Sequence, residues 1–399
     1  MKFLLFILLF TTQLSFAQNV KPSIKPKPKK EFRAVWVATV ENIDWPPKYT
    51  ECVGSDCQRT AFLNLLNMHK RNGITTLIVQ IRPAADAFYP SPFEPWSQWL
   101  TGVQGQAPYP YYDPLQFMID ETHKAGLEFH AWLNPYRAVF NNKNNTTTYN
   151  HITKLHPEWF VNYGDKKYFD PGNLDAQKFV VNVVKDIVTR YKVDAIHMDD
   201  YFYPYRIAGR EFPDAKSFQL NNRGLDKETW RRSNTDSIIV SIGKTIKAVN
   251  PACRFGISPF GVWRNASKDS TGSNTKAGQT NYDDLYADIL LWMRKGWIDY
   301  VTPQLYWEIN HPLCDFNILA DWWAKNTYGK DCYVGIGIYR AGTNAGWKNK
   351  NELPNQIKKV RSLPNLNGFV FFNSKVFEKN PNGWSDSLRV NYFKDTAVK

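Results

Sequence analysis

From residue 31 onward, short apolar runs rich in β-branched and aromatic residues alternate with longer segments whose apolar positions recur at helical spacing. The strand-like runs are FRAVWVATV (32–40), TTLIVQIR (75–82), LEFHAWLNPYR (127–137) and DAIHMDDY (194–201), then RFGISPFG (254–261), YVTPQLYW (300–307), CYVGIGIYR (332–340) and GFVFFNSK (368–375). Between them lie amphipathic segments such as RTAFLNLLNMHKRNG, PLQFMIDETHKAG, DAQKFVVNVVKDIVTRY, RRSNTDSIIVSIGKTIKAVN and YDDLYADILLWMRKG. Several end on Gly or Asn just before the next run, where helices commonly stop. Eight strands alternating with helices predict an α/β fold, a (β/α)8 TIM barrel forming a single large domain. An open doubly wound sheet is the alternative, but it has a Gly-rich phosphate turn after its first strand, and ATVENIDWPP is not one.

Composition adds a compartment and a surface. The chain has 399 residues, 43% of them hydrophobic, enough for one large core. Its first stretch, MKFLLFILLFTTQLSFAQ, combines a basic Lys2, an apolar run too short to span a bilayer comfortably and a small-residue site at Ala17. Residues 1–17 therefore read as a signal peptide, 18–30 as a basic Pro/Lys linker, 31–392 as the barrel and 393–399 as a C-terminal tail. A periplasmic or secreted protein is expected, with no later transmembrane segment. The formal charge of +13, of which Lys2 supplies one, suits an approach to anionic envelope polymers better than nucleic acid, which an exported protein rarely meets. Among five cysteines, Cys52 and Cys57 in ECVGSDCQ have spacing that could close a small disulfide. No Cys/His cluster has metal-site spacing, and no metal or organic cofactor is expected.

Aromatic residues make up 15% of the chain, including 15 Trp, so some rings are expected to face a ligand groove. In a TIM barrel the chemistry collects where strands run out into the following loops. Those ends carry Asn42, Asp44 and Trp45; Arg82 and Asp86; Asn134, Tyr136 and Arg137, with Trp132 a candidate stacking ring; and Asp199, Asp200, Tyr201 and Tyr203. Later ends carry Ser258, Trp263 and Arg264; Gln304, Tyr306, Trp307 and Glu308; and Tyr339 and Arg340. Carboxylates, amides, guanidinium groups and rings around one mouth suit a sugar, whose apolar faces stack on aromatics while its hydroxyls bond to planar polar groups. GISPFG is no G-x-S-x-G hydrolase elbow, so a carboxylate-driven glycoside cleavage fits best.

Six motifs in order, EFRAVWVATVENIDWP, IRPAADAFYPS, AWLNPYR, DAIHMDDYFYPY, GISPFGVWRN and DYVTPQLYW, resemble the glycosyl hydrolase-like 10 family of bacterial envelope proteins over about residues 31–340. The resemblance implies a TIM-barrel glycosidase, with relatives associated with cutting peptidoglycan glycan strands. DAIHMD is also similar to the strand-4 D-G-x-R-x-D of the α-amylase superfamily, which would make Asp199 the nucleophile and place His197 where that family has Arg. Adjacent carboxylates after strand 4 further resemble barrel hexosaminidases whose substrate acetamide is the nucleophile. One acid then orients the acetamide and its neighbour protonates the leaving oxygen.

Strand alternation puts His197 and Asp199 on one face. Asp199 is thus the expected central carboxylate, with Asp200 or Glu308 as proton donor. The expected substrate-binding set is Asp44, Trp45, Arg82, Asp86, Asn134, Tyr136, Arg137, His197, Tyr203, Trp263, Arg264, Gln304, Tyr306 and Trp307. The expected activity is hydrolysis of an N-acetylated envelope glycan, peptidoglycan first. The alternatives are a neutral polysaccharide cut by an amylase-like pair, or a barrel that only binds glycan. Residues 141–160 read as a long polar loop after strand 3.

Overall fold

The computed structural model describes residues 31–143 and 147–393. The expected signal peptide and linker lie outside the described residues, as does the expected tail apart from Phe393. Eight parallel strands close into a barrel: β1 Phe32–Val37, β2 Thr76–Arg82, β3 Glu128–Leu133, β4 Ala195–Met198, β5 Arg254–Ile257, β6 in two pieces (Tyr300–Val301 and Gln304–Leu305), β7 Asp331–Ile336 and β8 Gly368–Phe371. β8 pairs back onto β1, with Phe32 opposite Gly368, so no strand edge is left open. Pro303 interrupts β6, since a residue without an N–H cannot continue a ladder.

A helix follows each strand: α1 Ser55–Arg71, α2 Pro114–Lys124, α3 Leu174–Arg190, α4 Lys227–Val249, α5 Ile289–Lys295, α6 Phe316–Lys325, α7 Glu352–Ser362 and α8 Ser374–Lys379. In α2 to α6 a side chain caps the free N–H groups of the first turn. Asp113, Asn173, Asp226 and Asp288 each accept a bond from the backbone three residues on, at 3.0–3.1 Å. Pro114 occupies the first position of α2, where its missing N–H costs nothing.

The segment expected as a long polar loop after strand 3, 141–160, falls in an insertion whose described residues include a small sheet. Arg137–Val139, Phe160–Tyr163 and Lys166–Phe169 pair antiparallel, the last two joined by a Gly164–Asp165 turn with Gly164 at φ +65°. This sheet stands beside the mouth, directly after β3.

The barrel interior is unusually polar. Gly256 makes room for it: a Cβ there would lie 1.9 Å from the Tyr300 ring. Trp36 Nε1 donates to His197 Nε2 (3.1 Å), so His197 carries its hydrogen on Nδ1 and donates to Tyr300 OH (3.0 Å). Tyr300 donates in turn to His130 Nδ1 (2.9 Å), and His130 Nε2–H meets Glu128 Oε2 (3.2 Å). Arg254 holds that Glu128 at 2.6 Å at the barrel bottom. Burial pushes the pKa of His130 down and that of His197 well down, so both rings are neutral links in the chain.

Candidate active site

A cavity of about 440 Å³ opens at the C-terminal ends of the strands. Asp199 and Asp200 lie in its wall, with Gln80, Arg137, Gln304 and Arg340, among the rings of Trp36, Trp132, Phe140, Tyr201, Tyr205, Phe260, Tyr306, Trp307, Tyr339 and Phe372. A second cavity of about 400 Å³ shares Arg137, Phe140, Tyr201 and Tyr205 with it and extends along the inserted sheet past Lys166 and Tyr168.

The two aspartates are both buried but differently held. Asp199 Oδ2 accepts from Asn134 Nδ2 (3.0 Å) and Trp132 Nε1 (3.3 Å), and the Arg137 charge lies near. Burial raises its pKa to about 6, against the pull of Arg137 and these donors. Asp200 accepts from the Tyr205 hydroxyl, and Gln304 also favours its ionised form. Burial first, and the neighbouring Asp199 second, push Asp200 up to about 7. A pair whose environments separate two carboxyls in this way can supply one acid and one base near neutral pH.

Positioning runs outward from Asn134. Its Oδ1 accepts from the Arg137 backbone N–H (2.8 Å), which fixes the amide so that its NH2 faces Asp199. Arg82, fully buried, donates to the carbonyls of Asn134 (2.5 Å) and Pro135 (3.2 Å) and grips Glu94 through Nε and NH2. Arg82 therefore braces the turn beneath Asp199 and does not line the cavity.

Several residues expected to bind substrate lie elsewhere. Asp44 accepts from the Ala38 and Lys375 backbone N–H groups, both at 2.7 Å, and ties the β1 loop to the start of α8. Trp45 is a core residue against Phe62 and Phe88, its Nε1 on Gln58 O. Asp86 is buried against Ala84 N–H and Gln104, and Tyr136 packs on Phe169 and Phe202. His197 spends both ring nitrogens inside the barrel. Tyr203 packs between Phe212 and Tyr286, and Trp263 stacks on Trp322. Arg264 is committed to Asp283 and Asp269. Glu308 sits outside the cavity lining, against Gly346 and accepting from Asn344 Nδ2 (3.1 Å). Arg137, Gln304, Tyr306 and Trp307 do face the mouth, and Asn134 reaches Asp199 from behind.

The sequence reading passed over Trp36, Gln80, Phe140, Tyr205, Phe260 and Phe372 as mouth residues. Trp36 and Gln80 carried a signal, since each shares the alternation of the inward side of its strand. Phe140 and Phe260 sit in loops and carried none. Most indoles are core residues, and Trp36, Trp132 and Trp307 are those on the cavity. Cys52 and Cys57 are joined, with Cα atoms 5.6 Å apart, while Cys253, Cys314 and Cys332 are free and buried. Among the described residues no group of His, Cys, Asp and Glu could hold a metal ion, and no helix is long and apolar enough to cross a membrane.

Residues 31–353 match the profile of the family described as glycosyl hydrolase-like 10. The chain belongs to this family. It is 45% identical to glycosyl hydrolase YngK of Bacillus subtilis over 92% of its own length and 73% of that protein. It is 34% identical to glycosyl hydrolase DigH of Escherichia coli K12, covering 91% of this chain and 87% of that one. Among solved structures, the PgaB (BpsB) glycoside hydrolase domain from Bordetella bronchiseptica superposes with TM-score 0.56 over 90% of this chain and 98% of the other, at 11% identity. The catalytic domain of a Paenibacillus polymyxa β-amylase does so with TM-score 0.56 over 91% and 98%, at 12% identity. These likenesses establish the barrel fold, and the family establishes a glycoside hydrolase.

Proposed function

We propose that this glycoside hydrolase is exported and cuts an N-acetylated glycan of the cell envelope, peptidoglycan strands, with the substrate's acetamide as nucleophile. The observation that carries this reading is the adjacent, buried Asp199–Asp200 pair, with no cation paired to either carboxylate at ion-pair distance among the described residues and pKa values raised to about 6 and 7. Asp199, held by Asn134 and Trp132, is the carboxylate that orients the acetamide and balances the positive charge that develops on it. Asp200, protonated near neutral pH, delivers its proton to the departing glycosidic oxygen as the C–O bond breaks. Water then opens the cyclic intermediate with Asp200, now ionised, as base. Glu308 faces away from the cavity, which favours Asp200 as the acid. Export rests on the apolar N-terminal stretch after Lys2.

The test is mass spectrometry of products from purified peptidoglycan, intact and chemically de-N-acetylated. Cleavage of the acetylated polymer alone is the expected result. Equal cleavage of the de-N-acetylated polymer would sink the acetamide mechanism in favour of Asp199 as an amylase-like nucleophile. Activity confined to starch- or xylan-type glycans would sink the envelope substrate.

A further inference from the structure

Every buried or half-buried arginine near the loops has a carboxylate partner, with two exceptions. Arg82 holds Glu94, Arg231 holds Asp214, and Arg264 holds Asp283 and Asp269. Arg137 and Arg340, both in the mouth, make no ion pair with any described residue. Arg137 uses Nε on the Pro83 carbonyl (3.1 Å), and its guanidinium lies 5.1 and 5.8 Å from the Phe140 and Tyr201 ring centroids on the cavity wall. Arg340 is less satisfied still: its Nε is buried without a hydrogen-bond partner in the protein, and its guanidinium lies 5.6 Å from the Tyr339 ring centroid. A guanidinium on the cavity wall whose charge no carboxylate of the described residues answers is a ready partner for an anionic group of a bound ligand.

The two positions are also placed in a telling way. Arg137 follows β3 and Arg340 follows β7, four strands apart in a closed barrel of eight, hence on opposite rims. The Asp199–Asp200 pair, at the end of β4, lies beside the Arg137 rim. The line across the mouth from one guanidinium to the other passes the aspartates. The turn that carries Arg340 is fixed, its carbonyl accepting from Thr343 N–H (2.9 Å) and Oγ1 (2.7 Å).

We infer that Arg340 is a specificity-determining residue that reads a carboxylate substituent on a sugar bound across the mouth from Arg137. Its planar fork takes a carboxylate bidentately, which no hydroxyl can match, and Tyr339 beside it offers a face to the same sugar ring. This inference rests on the glycan reading above and deepens it.

The test uses the full-length mature enzyme and peptide-free peptidoglycan strands, either native or with their sugar-borne carboxyl groups reduced to alcohols. Rates are compared for the parent, Arg340→Gln and Arg340→Lys, with thermal melts showing that the variants fold. On native strands Arg340→Gln should lower kcat/KM about 10–100-fold, mainly through KM, the range a charged pair supports. On reduced strands the same variant should match the parent within about 3-fold, because there is no carboxylate left to read. Arg340→Lys should fall between, keeping the charge but not the fork. Equal losses on both strands, or no loss on native ones, overturn the role of Arg340 while the parent's cleavage keeps the glycan reading standing. A parent that cuts neither strand brings down the glycan reading, and this one with it.

Discussion

Asp200 and Asp214 are equally hidden from solvent, at 2% and 0% exposure, yet they live in opposite surroundings. Asp214 lies under the far side of the β4 loops and takes both arms of Arg231, each at 2.7 Å, with Lys227 at 3.4 Å behind. Asp200 has a tyrosine hydroxyl, a glutamine amide and, as its nearest charge, another aspartate. The first is a carboxylate whose charge is answered in place, a structural tie. The second is a carboxylate whose charge is left unanswered, and it holds a proton instead. Burial alone therefore does not mark a functional acid; what it is buried beside does.

The sharpest way to break that contrast is substitution. Asp200→Asn and Asp199→Asn should each lower kcat/KM on the glycan about 10²–10⁴-fold. A variant retaining more than a tenth of parental activity would remove that residue from the chemistry. Asp214→Asn should act on stability instead, by about 1–3 kcal/mol in urea unfolding, because the buried Arg231 keeps only Glu211, at 2.6 Å, to answer its charge. If Asp214→Asn left stability alone and abolished hydrolysis, the contrast would be inverted.

The pH dependence sharpens it further. The folded pKa of Asp200 is raised from 3.8 to about 7, so ionisation in the folded protein costs stability that accrues as pH rises between these values. Asp200→Asn should consequently be more stable than the parent at pH 8, by up to about 4 kcal/mol, and lose that advantage below about pH 4. An advantage independent of pH would show that Asp200 does not hold its proton. Hydrolysis should follow a narrow bell. The rate falls below about pH 6 as Asp199 takes a proton and above about pH 7 as Asp200 loses one, the two limbs belonging to the pair as a unit. The smallest effect is expected at Glu308→Gln, under about 3-fold in kcat/KM, since that side chain faces Asn344 outside the mouth.

The barrel was legible in the sequence because its evidence is periodic. All eight strand runs overlap the observed strands, and each begins within one residue of its strand. Their C-terminal ends were read too long, since residues such as Tyr201 and Trp307 belong to the mouth and keep the apolar character of the strand. α6, α7 and α8 were not singled out; α6, with Trp322 and Trp323 buried together, is apolar over most of its length. The inserted sheet went unread although NYGDKKYF holds a Gly-Asp turn between two short alternating runs.

The site was legible only in its centre. Strand parity picked out Asp199, and it equally picked His197, whose hydrogen bonds bind it to the barrel axis. Arg82, Asp86, Arg264 and Trp263 carry the residue types of a sugar site and stand at strand ends, yet each is turned toward a partner that sequence does not reveal. Glu94, far from any strand end, claims Arg82; Asp283 claims Arg264. Residue type tells what a side chain can bind, while only the fold tells whether something has already bound it.

The hydrogen-bonded column from Trp36 to Glu128 has a bearing on how protons enter and leave. Its top link is an indole N–H, which cannot pass a proton on, and the two imidazoles below it stay neutral. That column therefore offers the mouth no proton route through the barrel axis. In the proposed reaction the proton that Asp200 gives to the leaving sugar is recovered from the water that completes hydrolysis, on the open side of the mouth.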